Sequence, residues 1–153
     1  MKYGICQLAL SCIALFGVSN VYALPNPAAQ YCSVSGGKVE MVKDSTEAES
    51  ALCTFGKASI EEWTLFRYKH GKPDSIAVAT FCKSQNSPAS MIANPETRFC
   101  EKEGGKTVEV VTAEGNALKL CRFEDKSIME QKTMYLGAQC KDNEELANLL
   151  ECN

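Results

Sequence analysis

The chain has 153 residues, 23% of them charged, and a formal net charge of −3. That mildly acidic, mixed balance contains no basic stripe to neutralise phosphates, which argues against nucleic acid as a partner. Nine cysteines against a single histidine point to oxidised sulfur rather than metal chemistry.

Residues 1–23, MKYGICQLALSCIALFGVSNVYA, read as a secretory signal peptide. Lys2 supplies the positive end, Ile5 to Val18 the apolar run, and Val21-Tyr22-Ala23 the cleavage site. The run is shorter than the roughly 20 apolar residues of a permanent span, and no later stretch is apolar enough to cross a membrane. Ser11-Cys12 offers a lipoprotein alternative, weakened because the apolar run continues past Cys12. Cleavage after Ala23 predicts a secreted or periplasmic protein.

Asn26-Pro27 then suits a helix N-cap and first turn, and Gly36-Gly37 suits the helix end. VEMV (39–42) and ALCTF (51–55) read as strands joined by DSTEAES (44–50). Ser59-Ile-Glu-Glu62 fits a capping box opening a helix over 60–69, and 73–83 reads as a further helix. After a polar linker the same order returns. NPETRFC (94–100) precedes Gly104-Gly105, VEVV (108–111), AEGN (113–116) and LKLCRF (118–123). A second capping box at 127–130, a helix over 128–136 and a helix over 142–152 follow. Adding 68 carries Asn26 to Asn94, Cys32 to Cys100, Cys53 to Cys121, Ile60 to Ile128 and Glu62 to Glu130. This implies a tandem duplication: repeat 1 over 24–83, a linker over 84–93, and repeat 2 over 94–153. The expected fold class is α+β, each unit running α-β-β-α-α.

Seven cysteines follow the signal: Cys32, Cys53, Cys82, Cys100, Cys121, Cys140 and Cys152. Equal spacing in the two copies favours Cys32–Cys53 and Cys100–Cys121, although spacing alone does not determine connectivity. The remaining three allow Cys140–Cys152 with Cys82 as the free thiol, or Cys82 paired to Cys140 or Cys152, locking the repeats together. A free thiol in an oxidising compartment is either inert or the link of a disulfide-bonded dimer. No Cys-x-x-Cys occurs and His70 is the lone imidazole, so no metal or other cofactor is expected.

No catalytic set emerges. His70 suits a helix C-terminus. Glu61 and Glu62 point about 100° apart on a helix, and no glycine-rich phosphate loop occurs. Trp63, Phe66 and Arg67 form either a core stripe with Arg67 salt-bridged at its edge or an exposed anchor for a partner. The expectation is a disulfide-stabilised binding protein without enzymatic activity, acting on an unknown protein or cell-envelope partner. An inhibitor of an exported hydrolase, presenting 44–50, is the alternative.

NPAAQYC, then Gly-Gly, then a hairpin cysteine, then EEWTLFR resembles a small exported bacterial domain of unknown function. That family has the pattern N-P-A-x-x-Y-C, G-G, C, C-x-E-W-x-x-F-R-G-x-C and is sometimes labelled a putative haemolysin. The match covers most of 26–68 and, more faintly, 94–140. The family's third cysteine is Ile60 here and Ile128 in the second copy. Its fourth falls near His70 and Ala138, with Cys140 two residues late. Keeping the first two cysteines while losing the third from both copies fits first-to-second pairing. At the same offset Gln131 replaces Trp63 and Met134 replaces Phe66, which implies that the second copy has lost any role of that face. The haemolysin label implies membrane damage, yet 24–153 contains neither a long apolar span nor a basic amphipathic helix.

Overall fold

A computed structural model describes residues 25–86 and 91–152, so the signal peptide reading falls outside the described residues. Helix α1 (Pro27–Val34) starts where Asn26 Oδ1 accepts the amides of Ala28 and Ala29, with Pro27 in the first turn. Strands β1 (Lys38–Asp44) and β2 (Glu49–Phe55) follow, then β3 (Ala58–Glu61), α2 (Glu62–Lys69) and α3 (Ile76–Lys83). The second copy repeats the order as α4 (Pro95–Lys102), β4 (Lys106–Thr112), β5 (Ala117–Arg122), β6 (Ile128–Glu130) and α5 (Gln131–Leu136). A 3-10 turn (Lys141–Asn143) and α6 (Glu144–Leu149) close the described chain.

Several expectations change. Each unit has a third strand, so its order is α-β-β-β-α with a trailing helix. The capping boxes do not form. The N-cap of α2 is Glu61, whose carboxylate accepts from the amides of Trp63 and Thr64; Glu130 does the same for α5 with Lys132 and Thr133. The residues before each cap, Ser59-Ile60 and Ile128-Met129, are therefore free to pair as strands. Asn94, at φ 51, makes no side-chain cap bond. The DSTEAES segment is a shorter turn than expected, with only the exposed Ser45 to Ala48 lying between the strands. Asp44 Oδ1 accepts from Thr46 N, Thr46 Oγ1 and Ala48 N, and Glu49 already belongs to β2.

The repeat offset also changes along the chain. Leu52 pairs with Glu61, and Leu120 with Glu130, so past the second hairpin turn the copies align at 69 rather than 68. The first copy turns between Phe55 and Ala58 on Gly56-Lys57. The second needs Glu124-Asp125-Lys126, with Lys126 in the left-handed region at φ 67. The counterparts of Glu62, Trp63, Phe66 and Arg67 are thus Gln131, Lys132, Tyr135 and Leu136.

The strands of both copies join one closed barrel in the order β1-β2-β3-β6-β5-β4. The hairpins meet through β1 against β4 (Val42 opposite Thr112, Lys43 opposite Val111, Asp44 opposite Val110) and through Ile60 opposite Met129 on the far side. Closure removes the unpaired edges that each three-stranded unit has alone. Successive strand residues face opposite sides, and the core divides accordingly. Val42, Leu52, Val110 and Leu120 cluster inside the barrel. Cys32, Cys53, Phe55, Leu65, Phe81, Cys100, Cys121, Met134 and Leu146 belong to the larger cluster beneath the helices.

Two reciprocal hydrogen bonds stitch the copies. Ser59 N donates to Thr133 Oγ1 at 3.0 Å, and Ile128 N donates to Thr64 Oγ1 at 3.0 Å. Each threonine hydroxyl in turn donates to the glutamate capping its own helix, at 2.8 Å.

Cys32 bonds Cys53 and Cys100 bonds Cys121. Cys82 bonds Cys152, joining the end of α3 to the tail after α6, and among the described residues the unpaired thiol is Cys140. The assignment of Cys82 as free thiol and the Cys140–Cys152 pairing are therefore corrected. The residues after α6 turn back there, with Cys152 N donating to Ala147 O, and bring Cys152 to α3. In the chain-entropy account a closure of 70 residues contributes about 4 kcal/mol. The paired glycines also gain an explanation. Gly36 and Gly104 adopt φ +88 and +85, the left-handed helix exit. A Cβ on Gly37 or Gly105 would collide with the sulfurs of Cys32–Cys53 or Cys100–Cys121.

Candidate functional site

The residues singled out in the sequence meet where α2 lies on α1. Glu62 fixes that crossing: Asn26, while capping α1 through Oδ1, donates Nδ2 to Glu62 Oε1 at 2.7 Å. Leu65 is fully buried and anchors α2 to the core. Phe66, one residue on, faces α1, where Tyr31 meets it edge-on at a ring separation of 6.1 Å. His70, the C-cap of α2, stacks on Phe66 at 4.2 Å and meets Tyr31 at 4.8 Å, its Nδ1 2.9 Å from Phe66 O. Trp63 lies edge-on to Phe66 at 5.7 Å and remains 38% exposed. Ile60, expected to open this helix, is instead in β3 and fully buried. Arg67 reaches Glu61 Oε2 at 3.8 Å and Lys126 O at 3.4 Å. The result is a four-ring ledge, Tyr31-Phe66-His70-Trp63, whose outer ring is open to solvent.

Beside this ledge runs an open groove of about 740 Å³ along α1, lined by Pro27, Gln30, Tyr31, Val34 and Phe66 among others, with no charged side chain among the described residues. Val34 is 81% exposed. The whole of α1, PAAQYCSV, is uncharged, whereas α4 at the corresponding place in the second copy, PETRFCEK, carries Glu96, Arg98, Glu101 and Lys102. The second copy keeps the inner ring pair as Phe99 and Tyr135, edge-on at 5.7 Å. It has Lys132 where the first has Trp63 and Leu136 where the first has Arg67.

A second polar cluster lies at the joint between the copies. Asp125 Oδ2 accepts from Ile76 N at 2.8 Å, Ser127 Oγ from Ala77 N at 3.0 Å, and Ser75 Oγ from Val78 N at 3.3 Å. The first three amides of α3 are thus satisfied, two of them by the longer turn of the other copy. Ser127 also donates its hydroxyl to Asp125 Oδ1 at 2.6 Å. Partial burial pushes the Asp125 carboxyl up, but the Ser127 hydroxyl and the Ile76 amide outweigh it and hold it below the usual range. These hydroxyls are engaged in folding bonds. Among the described residues no group of three His, Cys, Asp or Glu could hold a metal ion, and no helix is long and apolar enough to cross a membrane.

The family model for a domain of unknown function, DUF333, matches residues 23–69 and again 91–138, together more than half of the chain. The chain belongs to this family. The two matches coincide with the two copies, α1 to α2 and α4 to α5, so the DUF333 unit is half of the barrel. The trailing helices, and with them Cys82 and Cys152, lie outside both matches. No curated protein and no solved structure matches the chain.

Sequence reasoning named Trp63, Phe66 and Arg67 but not Tyr31 or His70 as parts of the ledge. The aromatic pairing of Tyr31 with Phe99 at a fixed offset was the available signal. Thr64, Thr133 and Asp125 carry no sequence signature, because their bonds run between the copies.

Proposed function

We propose that this DUF333 tandem is an exported, non-catalytic binding protein whose first copy presents the α1–α2 ledge to a partner in the cell envelope. The observation that supports it is the asymmetry between two faces of common origin. One keeps an exposed tryptophan beside an uncharged groove; the other has lysine at that position and a charged helix. Exposed Trp, with Tyr and Arg beside it, is the composition that concentrates binding energy at interfaces. The three disulfides suit an oxidising compartment, in keeping with the signal-like N-terminus. Membrane damage is not part of this reading, since the described α-helices are six to eight residues long.

A photo-crosslinking amino acid placed at 63, and separately at 132, in the full chain within its producing cells tests the proposal. A discrete adduct from position 63 and none from 132 is the expected result. Absence of an adduct from 63, or the same adducts from both, would contradict it.

A further inference from the structure

Glu62 is a buried acid that the ledge does not use. It is 4% exposed, and its Oε2 is enclosed without any hydrogen-bond partner. Among the described residues, the groups around it do not compensate a charge. Glu61, next to it, adds like charge, and the guanidinium of Arg67 is directed at Glu61. Helix α1 has no charged residue, the charged residue of β2, Glu49, sits at that strand's exposed start, and on β1 the residues flanking Val39 are the exposed Lys38 and a further acid, Glu40. On α2 itself Lys69 is bound to Leu149 O and Glu151, His70 to Phe66 O, and the Tyr68 hydroxyl to Leu150 O. Tyr31 packs its ring on Phe66 and His70.

The second copy holds Gln131 at the same position, 1% exposed. Its Oε1 accepts from Thr97 Oγ1 at 2.9 Å, and its Nε2 donates to Thr107 Oγ1 at 2.8 Å and to Leu120 O at 3.4 Å. A protonated carboxyl offers the same acceptor-and-donor pair as a primary amide, and a carboxylate does not. The counterpart of Thr107 is Val39, whose side chain has no acceptor, and the counterpart of Leu120 is Leu52. We propose that Glu62 is kept as a neutral carboxylic acid, with Oε1 accepting from Asn26 and Oε2–H directed at the Leu52 carbonyl. The first copy thereby carries a proton-operated latch where α1 and α2 meet the barrel.

The direction of its response follows. Burial first, then the Glu61 charge, raises the carboxyl above its usual range, against the lowering effect of the Asn26 hydrogen bond. The folded chain therefore holds a proton that the unfolded chain has released. The stability it contributes is complete below about pH 4.3 and is lost as pH rises through the raised value. Base opens the latch by removing the Oε2 proton: the Asn26 bond to Oε1 survives, but the enclosed Oε2 no longer has a hydrogen to give the Leu52 carbonyl and carries uncompensated charge. This inference does not depend on what binds the ledge.

Two measurements on the full oxidised protein test it. Glu62→Gln has no proton to lose, although its second N–H faces Val39 where Gln131 has Thr107, so its urea midpoint relative to the wild type is expected to be higher at pH 8 than at pH 4. Burial also raises Glu130, which is why the difference between the two proteins, not the slope of either, is the readout. A midpoint difference that does not change with pH overturns the latch. In wild-type protein labelled with ¹³C at the glutamate carboxyl carbons, the resonance missing from Glu62→Gln belongs to Glu62. Titration above the ordinary glutamate range upholds the proposal, and titration within or below that range refutes it, however well the variant folds.

Discussion

Thr64 and Thr133 show how single side chains unite two duplicated units. Each hydroxyl donates to its own helix cap and accepts a strand amide from the other copy, so each serves a local and a long-range bond at once. Thr64→Val keeps the shape but leaves the Ile128 amide without an acceptor, which costs about 1–3 kcal/mol. Urea denaturation should show that loss, while Thr64→Ser should recover most of it. A valine variant as stable as the wild type would mean that water or backbone rearrangement replaces the bond. The second glycine of each pair makes a similar point about space. Gly37 and Gly105 are required not by backbone angle but by the disulfide pressed against them, which is why the Gly-Gly pair and the flanking cysteines occur together in both copies.

At the scale of elements, the second hairpin turn is the informative difference between the copies. Its extra residue lets Asp125 and Ser127 cap α3 of the first copy, whereas the shorter first turn contributes only an exposed ion pair between Lys57 and Asp142 at 3.1 Å. Asp125→Ala should therefore cost about 0.5–2 kcal/mol, in the range of a lost helix cap, and Lys57→Ala well under 1 kcal/mol. Because hydrogen bonds hold the Asp125 carboxyl below its usual range, its contribution is present at neutral pH and falls away as pH drops through that lowered value. Equal losses from the two substitutions, read from thermal or urea midpoints, would contradict this asymmetry. The α1 cap, the hairpins and the repeat could be read from the sequence because they rest on local patterns of Asn-Pro, Gly-Gly and alternating apolar residues. The third strand could not. Ile60-Glu61 and Met129-Glu130 look like helix starts, and only pairing with β2 and β5 holds them extended. The single-residue insertion was hidden for the same reason, since Ile and Glu recur by coincidence at the unshifted offset.

At the scale of the molecule, duplication produces a closed sheet that neither copy can form. A unit of about 60 residues buries little core alone. Joining two through β1–β4 and β3–β6 creates the inner cluster of Val42, Leu52, Val110 and Leu120, to which both copies contribute equally. Symmetry in the barrel leaves the outer faces free to diverge, and that divergence sets the aromatic ledge and uncharged α1 of the first copy against the charged α4 of the second. The Cys82–Cys152 bond, made by the trailing helices outside the two family matches, then ties the halves together a second time. The account's central claim is that the two copies are one cooperative barrel. Trp63, the sole tryptophan, reports on the first copy by fluorescence, and hydrogen exchange at the Leu120 amide reports on the second. Followed through urea unfolding of the oxidised protein, both should give the same free energy and the same midpoint. Two separated transitions, with one copy opening while the other stays folded, would contradict it.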